Sequence, residues 1–291
     1  MYVKICLLSI ALLCLGACER QSASDDPSET TEGKAASAQV KLYVFDCGYF
    51  HFDDVTSSGL TNDETDVLDL FVPCYLIDHP AGRLLWDAGL PMDMAGRGEL
   101  EYGPGIQVRY DRALIDQLAD MDITADDVQK VAFSHMHFDH VGSANLFVNS
   151  TMLIQQSEYT AAFEHADENP VFDATLYDKL ADTPKVLLTG DFDVFGDGSV
   201  QIFSTPGHTP GHQTLLINLN QFGPVLLSGD LYHFEKSREL RRTPTFNTDA
   251  EQTLASMDRM EQLLIDRGAT LWIEHNQALA NTLRLAPAFY D

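Results

Sequence analysis

Short apolar runs separated by turn residues recur along the chain from residue 40 onward, and this pattern predicts a domain rich in strands. The segment His79-Pro80-Ala81-Gly82 separates two of these runs and is typical of a hairpin turn. We predict strands at residues 41–45, 71–78, 83–87, 131–133, 200–204, 214–219, 224–228 and 270–273.

Helical periodicity is clearest at residues 249–267, where apolar side chains recur every three or four positions and Gly268 follows as a stop signal. We expect that apolar stripe to face the core: Leu254, Met257, Met260, Leu263 and Leu264. Shorter helices are predicted at residues 111–121 and, after the N-cap candidate Thr124, at 125–129. Strands mixed with helices, with polar motifs at several strand ends, predict a layered α/β domain whose site lies along one sheet edge.

Residues 46–69 lack a clear period and are predicted to form a long loop. Loops longer than about 15 residues in compact domains are usually functional or mobile. Near its start the loop carries an aromatic cluster that contains Tyr49, Phe50 and Phe52. These rings either cover the apolar part of a substrate or belong to the core, and the pattern allows both interpretations.

The N-terminus has the features of an export signal. A weakly positive start is followed by an apolar run at residues 5–15 that is too short to cross a bilayer. The run ends in Leu15-Gly16-Ala17-Cys18, which resembles a bacterial lipoprotein signal and implies a lipid on Cys18. An ordinary secretory signal is the alternative. We therefore expect a signal peptide at 1–17, a disordered tether at 18–39 and a folded domain at 40–291. We expect the protein to be exported, and either anchored by lipid in the bacterial envelope, on the outer membrane or in the periplasm, or secreted.

Charge narrows the choice of partners. The 291 residues carry a formal net charge of −26, and such an acidic surface repels phosphate backbones, so nucleic acid is not an expected partner.

Of the five cysteines, Cys6 and Cys14 would leave with the signal peptide. Cys47 and Cys74 could pair in an oxidising compartment, but we predict two buried thiols because the spacing does not show their separation.

The strongest chemical motif is the loop after the strand at 131–133. It contains His135, His137, Asp139 and His140, so four side chains that bind metals lie within six residues. Imidazole combined with carboxylate suits zinc or a similar divalent ion, and the spacing suits two neighbouring cations better than one. The alternative is a polar loop whose histidines are solvated. Only 10 histidines occur in the chain, so the clustering favours the metal site.

Three further candidate ligands follow other predicted strands. His208 lies in the turn T-P-G-H-T-P-G-H, Asp230 follows Ser228-Gly229, and His275 follows the last strand. His212 is predicted to support the site and not to bind the metal. Four histidines have no motif that supports a ligand role: His51, His79, His165 and His233.

The order and type of these motifs resemble the metallo-β-lactamase superfamily, which implies an αββα sandwich over residues 40–291. Within it the chain is most similar to the N-acyl homoserine lactonases, through residues 72–77 (VPCYLI), 82–90 (GRLLWDAGL) and the TPGHTPGHQ and LLSGD segments. The resemblance implies one metal at His135, His137 and His208, and a second at Asp139, His140 and His275. It implies that Asp230 bridges the two ions.

The resemblance also implies a function: two zinc ions, or similar divalent metals, activate water that opens the lactone ring of an N-acyl homoserine lactone. Asp230 would hold the metal pair, and Asp139 would assist proton transfer. The family commonly places a tyrosine three residues after the bridging Asp, whereas this chain has His233 there and Tyr232 one residue earlier. The group that polarises the carbonyl is therefore Tyr232, His233 or neither.

Other functions remain open on the same motifs: a zinc β-lactamase, a thioesterase of the glyoxalase II type, or a lipid-anchored zinc-binding protein without turnover. Asp230 argues against the first, and the absence of an obvious basic site for glutathione argues against the second. The sequence leaves the acyl-chain preference, the native metal, the membrane leaflet and a possible homodimer undecided.

Overall fold

The structure is a computed structural model, and it describes residues 39–291. The predicted signal peptide, Cys18 and nearly all of the tether lie outside this range. In the part of the chain that is described, no helix has the length and apolar character needed to span a membrane.

Two β-sheets and the helices around them make up the described residues. The strands are β1 (Lys41–Phe52), β2 (Asp69–His79), β3 (Gly82–Trp86), β4 (Glu99–Gly103), β5 (Ile106–Arg109), β6 (Lys130–Ala132), β7 (Thr151–Gln155), β8 (Lys185–Leu188), β9 (Phe192–Asp193), β10 (Val200–Ser204), β11 (Gln213–Leu219), β12 (Gly223–Leu227), β13 (Thr270–Trp272) and β14 (Phe289–Tyr290). The α-helices are α1 (Leu114–Ala119), α2 (Phe138–Val141), α3 (Gln156–Tyr159), α4 (Glu235–Leu240), α5 (Ala250–Arg267) and α6 (Gln277–Ala280).

Sheet topology follows the chain closely. The first sheet has the order β4-β5-β1-β2-β3-β6-β7-β8, with β14 also beside β1, and the second has the order β13-β12-β11-β10-β9. Strands β3, β6, β7 and β8 pair in parallel, as do β12 and β13. Parallel neighbours bring their carboxyl ends to one edge of a sheet, which is where the candidate ligands follow β6 and β13.

The two sheets pack face to face with helices outside. In β1 the side chains of Leu42 and Val44 enter the core between the sheets, whereas Tyr43 and Phe45 enter the core on the other face. That second core also contains Leu114 and Leu118 of α1. On the outer face of the second sheet, α5 packs Met257, Met260 and Leu264 against Leu216 and Leu226. The layers are therefore helix, sheet, sheet and helix, which confirms the predicted αββα architecture.

Helix α5 matches its prediction to within one residue. The Asp249 carboxylate accepts a hydrogen bond from the Gln252 backbone N–H at the N-terminus, and Gly268 ends the helix in the left-handed conformation. The predicted helix at 111–121 is shorter than expected, because only Leu114–Ala119 is helical. The predicted helix at 125–129 is a single 3-10 turn, Ala125–Asp127, capped by Thr124.

The predicted loop at 46–69 is wrong at residues 46–52, because β1 continues to Phe52. A register shift between Asp46 and Tyr49 marks a bulge, and beyond it β1 pairs with both β2 and β5. Gly48 adopts φ +135° at the bulge, a conformation that an L side chain rarely takes. The aromatic cluster at 49–52 therefore lies on a strand, and only residues 53–68 form the connection to β2.

The predicted pair of free thiols is also wrong. Cys47 and Cys74 form a disulfide with their Cα atoms 5.8 Å apart, and both residues are buried. The bulge explains the error: Cys74 lies opposite Phe45 in the regular register, and the irregular segment after Asp46 brings Cys47 within reach of it. A bulge of this kind has no reliable signal in the sequence.

Candidate metal centre

Loops at one edge of the two sheets carry all seven candidate ligands. His135 and His137 lie between β6 and α2, and Asp139 and His140 belong to the first turn of α2. Turns and loops from the second sheet supply the others: His208 between β10 and β11, Asp230 after β12, and His275 after β13. All seven side chains are buried. Residues up to 140 positions apart in sequence thus converge on one small volume.

The first group contains His135, His137, His208 and Asp230, whose ligand atoms all lie within 4.8 Å of one another. His208 Nε2 is 3.1 Å from His135 Nε2 and 3.1 Å from His137 Nδ1. Tetrahedral zinc with bonds of about 2.0–2.1 Å separates its ligand nitrogens by about 3.3 Å. The three imidazoles therefore have the spacing that a divalent ion requires.

The second group contains Asp139, His140 and His275, whose ligand atoms also lie within 4.8 Å of one another. Asp230 lies between the two groups. Its Oδ1 is 2.9 Å from His275 Nε2 and 3.2 Å from His140 Nε2, whereas its Oδ2 is 3.3 Å from His208 Nε2. One carboxylate thus faces both groups, which is the arrangement needed to bridge two cations.

Two buried atoms at this junction lack a well-formed hydrogen bond within the described chain: His140 Nε2 and Asp230 Oδ1. Buried polar atoms normally have a partner, so their orientation towards one point is the arrangement expected of metal ligands. The donor set of imidazoles and carboxylates suits zinc or a similar divalent ion. The residues present therefore fit bound divalent metal.

Burial and charge determine the protonation of these groups. Burial, together with the neighbouring histidines, lowers the pKa of His135 well below its usual range and the pKa of His137 to about 3. Burial raises the pKa of Asp230, but the imidazoles of His233, His275, His140 and His135 outweigh it and hold that pKa well below its ordinary value. Neutral imidazole and ionised carboxylate are the forms that bind metals.

In the second group, nearby carboxylates raise the pKa of two histidines. Burial lowers the pKa of His275, but Asp230 and Asp139 outweigh it and raise that pKa to about 9. Burial likewise opposes the charge on His140, and the carboxylates of Asp139, Asp230 and Asp87 raise its pKa well above the usual value. A divalent ion that binds here competes with a proton for these two histidines.

Residues outside the predicted set hold the ligands in place. Asp87 accepts hydrogen bonds from His140 Nδ1 at 2.9 Å and from the Ser134 backbone N–H at 2.6 Å. The His275 Nδ1–H donates to the Phe71 carbonyl at 2.7 Å. Such bonds to the second ring nitrogen orient the ring and direct its other nitrogen to the metal. Asp87 was missed in the sequence, although its place directly after a strand, in D-A-G-L, is a usable signal.

His212 has the supporting role that the sequence predicts. Its Nε2 accepts a hydrogen bond from the Asp230 backbone N–H at 2.9 Å, and its Nδ1 donates to the Thr205 carbonyl at 3.1 Å. Both ring nitrogens are therefore used in positioning Asp230. No nitrogen of His212 is left to bind a metal.

A cavity of about 470 Å³ opens onto this centre. Four of the candidate ligands line it: His137, Asp139, Asp230 and His275. The remaining wall is mainly apolar and aromatic: Phe50, Phe52, Leu70, Tyr102, Ile106, Phe138, Pro170, Val171 and Phe246, with Ser57, Ser58, Asp173 and His233 among them. A substrate with a reactive polar group and an apolar tail fits such a site.

Comparison with known proteins identifies the family of this chain. Residues 67–267 match the model of the metallo-β-lactamase superfamily. An N-acyl homoserine lactonase from a Bacillus species is 30% identical over 245 residues, which cover 81% of this chain and 93% of that protein. The chain belongs to the metallo-β-lactamase superfamily and to its N-acyl homoserine lactonase family.

A second lactonase sequence and a solved lactone hydrolase structure are also similar to this chain over most of its length. An N-acyl homoserine lactonase from Rhizobium radiobacter is 31% identical over 233 residues, which cover 75% of this chain and 87% of that protein. A solved N-acyl homoserine lactone hydrolase superposes with a TM-score of 0.74 at 28% identity, covering 86% of this chain and 98% of that one. That structure holds the product N-hexanoyl-L-homoserine at its catalytic metal centre.

The structure contradicts one catalytic role predicted in this lactonase family member. The Tyr232 hydroxyl donates to the Glu261 carboxylate at 2.8 Å, and its ring lies in the core beside α5. His233 instead lines the cavity, with Nε2 3.1 Å from Asp230 Oδ2. Adjacent residues of extended backbone point in opposite directions, so only one of the two can face the metals.

Three of the four residues predicted for the substrate pocket line this cavity. Phe50, Phe52 and His233 line the cavity, whereas Tyr49 lies on the other face of β1. The Tyr49 hydroxyl donates to Asp46 at 2.8 Å, and its ring packs against Phe71. Alternation along a strand again decides which aromatic rings reach the site.

Glu158 was missed entirely, although it links two of the loops that carry the first group. This buried carboxylate accepts hydrogen bonds from the Met136 backbone N–H at 2.9 Å and from the Gly211 backbone N–H at 2.8 Å. Met136 lies between His135 and His137, and Gly211 lies in the turn that holds His208. Nothing in the local sequence around Glu158 signals this contact.

Proposed function

We propose that the chain is a metal-dependent hydrolase that opens the lactone ring of N-acyl homoserine lactones. The observation that carries the proposal is the convergence of seven buried ligand side chains, with Asp230 shared between two groups, at the base of an apolar cavity. Relatives that cover most of this chain are N-acyl homoserine lactonases. The reaction adds water across the ring ester and yields an alcohol and a carboxylate, with release of a proton.

We further propose that the centre holds two divalent ions, with zinc as the first choice. Bound divalent ions lower the pKa of water towards neutrality and polarise a carbonyl oxygen. His135, His137 and His208 would hold one ion, and Asp139, His140 and His275 the other. Asp230 faces both groups with one oxygen each, which supports the bridging role.

The protein side chains around the metals have distinct tasks. Asp139 Oδ2 lies 3.4 Å from His140 Nε2 and 3.6 Å from His275 Nε2, and the residue lines the cavity, so its carboxylate is placed to accept a proton there. His233 also lines the cavity, and its Nε2 lies 3.1 Å from Asp230 Oδ2. Of Tyr232 and His233, we propose His233 as the group that polarises the substrate carbonyl.

The cavity favours neutral substrates with an apolar chain. Its described lining contains the carboxylates of Asp139, Asp173 and Asp230, and no lysine or arginine. Away from the proposed metals, the lining has no lysine or arginine to pair with the carboxylates of penicillins or glutathione thioesters. The aromatic wall instead offers apolar surface to an acyl chain, at about 0.8 kcal/mol for each buried methylene.

We also propose export to the bacterial envelope through a lipid on Cys18, as the N-terminal motif indicates. The Cys47–Cys74 disulfide supports this location, because such bonds persist in oxidising compartments and are rare in the cytosol. The net charge of −26 continues to argue against nucleic acid as a partner. A homodimer stays a prediction.

The test is a substrate panel with metal analysis on the same sample. The panel contains hexanoyl and decanoyl homoserine lactones, a penicillin and a glutathione thioester, followed by pH-stat and mass spectrometry. We expect hydrolysis of the lactones and negligible turnover of the two anionic substrates.

The variant Asp230→Ala tests the metal centre directly. It should lose metal and more than about 100-fold in kcat/KM, since loss of even outer partners of metal ligands costs 10–100-fold. Asp93→Ala, at an exposed carboxylate, is the matched control and should retain both properties. Full lactonase activity in metal-stripped Asp230→Ala protein, or faster turnover of the penicillin or thioester than of lactones, would overturn the proposal.

A further inference from the structure

His208 has a hydrogen-bond partner that the ligand motifs do not include. Its Nδ1 lies 2.9 Å from Oδ1 of Asn247, a half-buried residue 39 positions further along the chain. Since Oδ1 of an amide can only accept, the proton must sit on Nδ1 of His208. Nε2 is then the unprotonated nitrogen, and it is the atom that faces His135 and His137.

The orientation of the Asn247 amide is itself determined by a hydrogen-bond chain. Its Nδ2 donates to Thr253 Oγ1 at 2.9 Å, and Thr253 Oγ1 donates to the Asp249 carbonyl at 2.8 Å. Because Thr253 Oγ1 gives its only proton to the Asp249 carbonyl, it can only accept from Asn247, which places Nδ2 of the amide on the Thr253 side. The chain therefore leaves Oδ1 as the acceptor for His208.

The loop that carries Asn247 is held at both ends. Asp249 N–H donates to the Gly207 carbonyl at 2.8 Å, and Thr248 N–H donates to the His208 carbonyl at 3.0 Å. On the other side, Thr245 N–H donates to the Ser57 carbonyl at 2.8 Å, and Ser57 lines the cavity. The loop thus joins the turn that holds His208 to the wall of the cavity.

We propose that Asn247 is a positioning residue that fixes the tautomer and ring orientation of His208, and so sets the affinity of the ion shared by His135, His137 and His208. The inference rests on the metal centre of the proposed function and not on the identity of the substrate. Partners of this kind typically change metal affinity by 10–100-fold. The second group, Asp139, His140 and His275, makes no contact with this hydrogen-bond chain and should be unaffected.

Three variants test the assignment with zinc as the probe. Asn247→Ala removes the acceptor, Asn247→Asp keeps an acceptor for His208 while losing the donor to Thr253, and Asn149→Ala removes an exposed asparagine that bonds Asp126 far from the centre. Each zinc-loaded protein is titrated with a chelator, and the zinc retained per chain is measured. Thermal unfolding of the same samples after complete zinc removal reports whether the fold itself has changed.

We expect Asn247→Ala to release the ion of the first group at a chelator concentration about 10–100-fold lower than the unmodified protein does. Asn247→Asp and Asn149→Ala should follow the unmodified protein. Unchanged zinc retention in Asn247→Ala would overturn the proposal, and so would equal zinc loss in Asn247→Asp and Asn247→Ala. Because zinc retention is the readout, a failure to hydrolyse lactones would count against the proposed function and leave this result standing.

Discussion

Glu158→Gln is the most informative single substitution outside the metal ligands. The carboxylate accepts one backbone N–H with each oxygen, from Met136 at 2.9 Å and from Gly211 at 2.8 Å. Glutamine has nearly the same shape but only one acceptor oxygen. One of the two N–H groups would therefore face an NH₂ group in a buried site, and the link between the two ligand loops would be lost.

The expected magnitude follows from these two bonds. A buried donor left without a partner costs about 1–3 kcal/mol, and the remaining bond loses the benefit of a charged acceptor. We expect the free energy of unfolding to fall by about 2–4 kcal/mol. For a domain of this size each kcal/mol lowers the midpoint by about 2–4 °C, so the midpoint should fall by about 4–16 °C.

The assay is thermal unfolding of zinc-loaded protein, combined with the zinc content and kcat/KM of the same samples. Glu164→Gln is the matched control, since Glu164 is an exposed carboxylate a few residues further along the same segment. That control should change the midpoint by less than about 2 °C. If Glu158→Gln had the midpoint, zinc content and activity of the unmodified protein, the structural role that we give to the Glu158 carboxylate would be refuted.

Three further predictions concern single features. Replacing Cys47 and Cys74 together by alanine should lower the free energy of unfolding by about 3–4 kcal/mol in the chain-entropy model, measured by urea denaturation; an unchanged value would contradict a disulfide in the native protein. Tyr232→Phe should keep kcat/KM, because its hydroxyl bonds Glu261 outside the cavity, and a loss of 100-fold would restore it as a catalytic residue. Phe246→Ala should raise KM more for decanoyl than for hexanoyl substrates, since its half-exposed ring lines the cavity; equal KM changes would exclude contact with the acyl chain.

Much of the architecture follows from local patterns. The apolar runs of β2 and β11 are buried on both faces and therefore remain visible in the sequence as near-continuous apolar segments. Helix α5 carries its own start and stop residues, Asp249 and Gly268. The loop from His135 to His140 places four ligands within six residues, so their proximity requires no knowledge of the fold.

Features that depend on long-range packing could not be predicted in this way. The bulge after Asp46 changes the register of β1. It brings Cys47 within reach of Cys74 and decides on which side of the strand Tyr49 lies. The direction of Tyr232 relative to His233 depends on how the segment after β12 meets α5. Neither the bulge nor the direction of these two side chains alters the local apolar pattern from which the predictions were made.

The amino-acid sequence by itself determined which side chains are available to bind metal and at which strand ends they stand, because short spacings and strand boundaries are local properties. Only the tertiary structure decided which groups hold those ligands in place: Asp87, Glu158 and Asn247 reach the centre from separate parts of the chain. Their roles arise from hydrogen bonds between residues brought together by the packing of the two sheets. Such contacts exist only after the chain has folded, so a local pattern can show where a residue such as Asp87 stands, after a strand, but not which ligand it contacts.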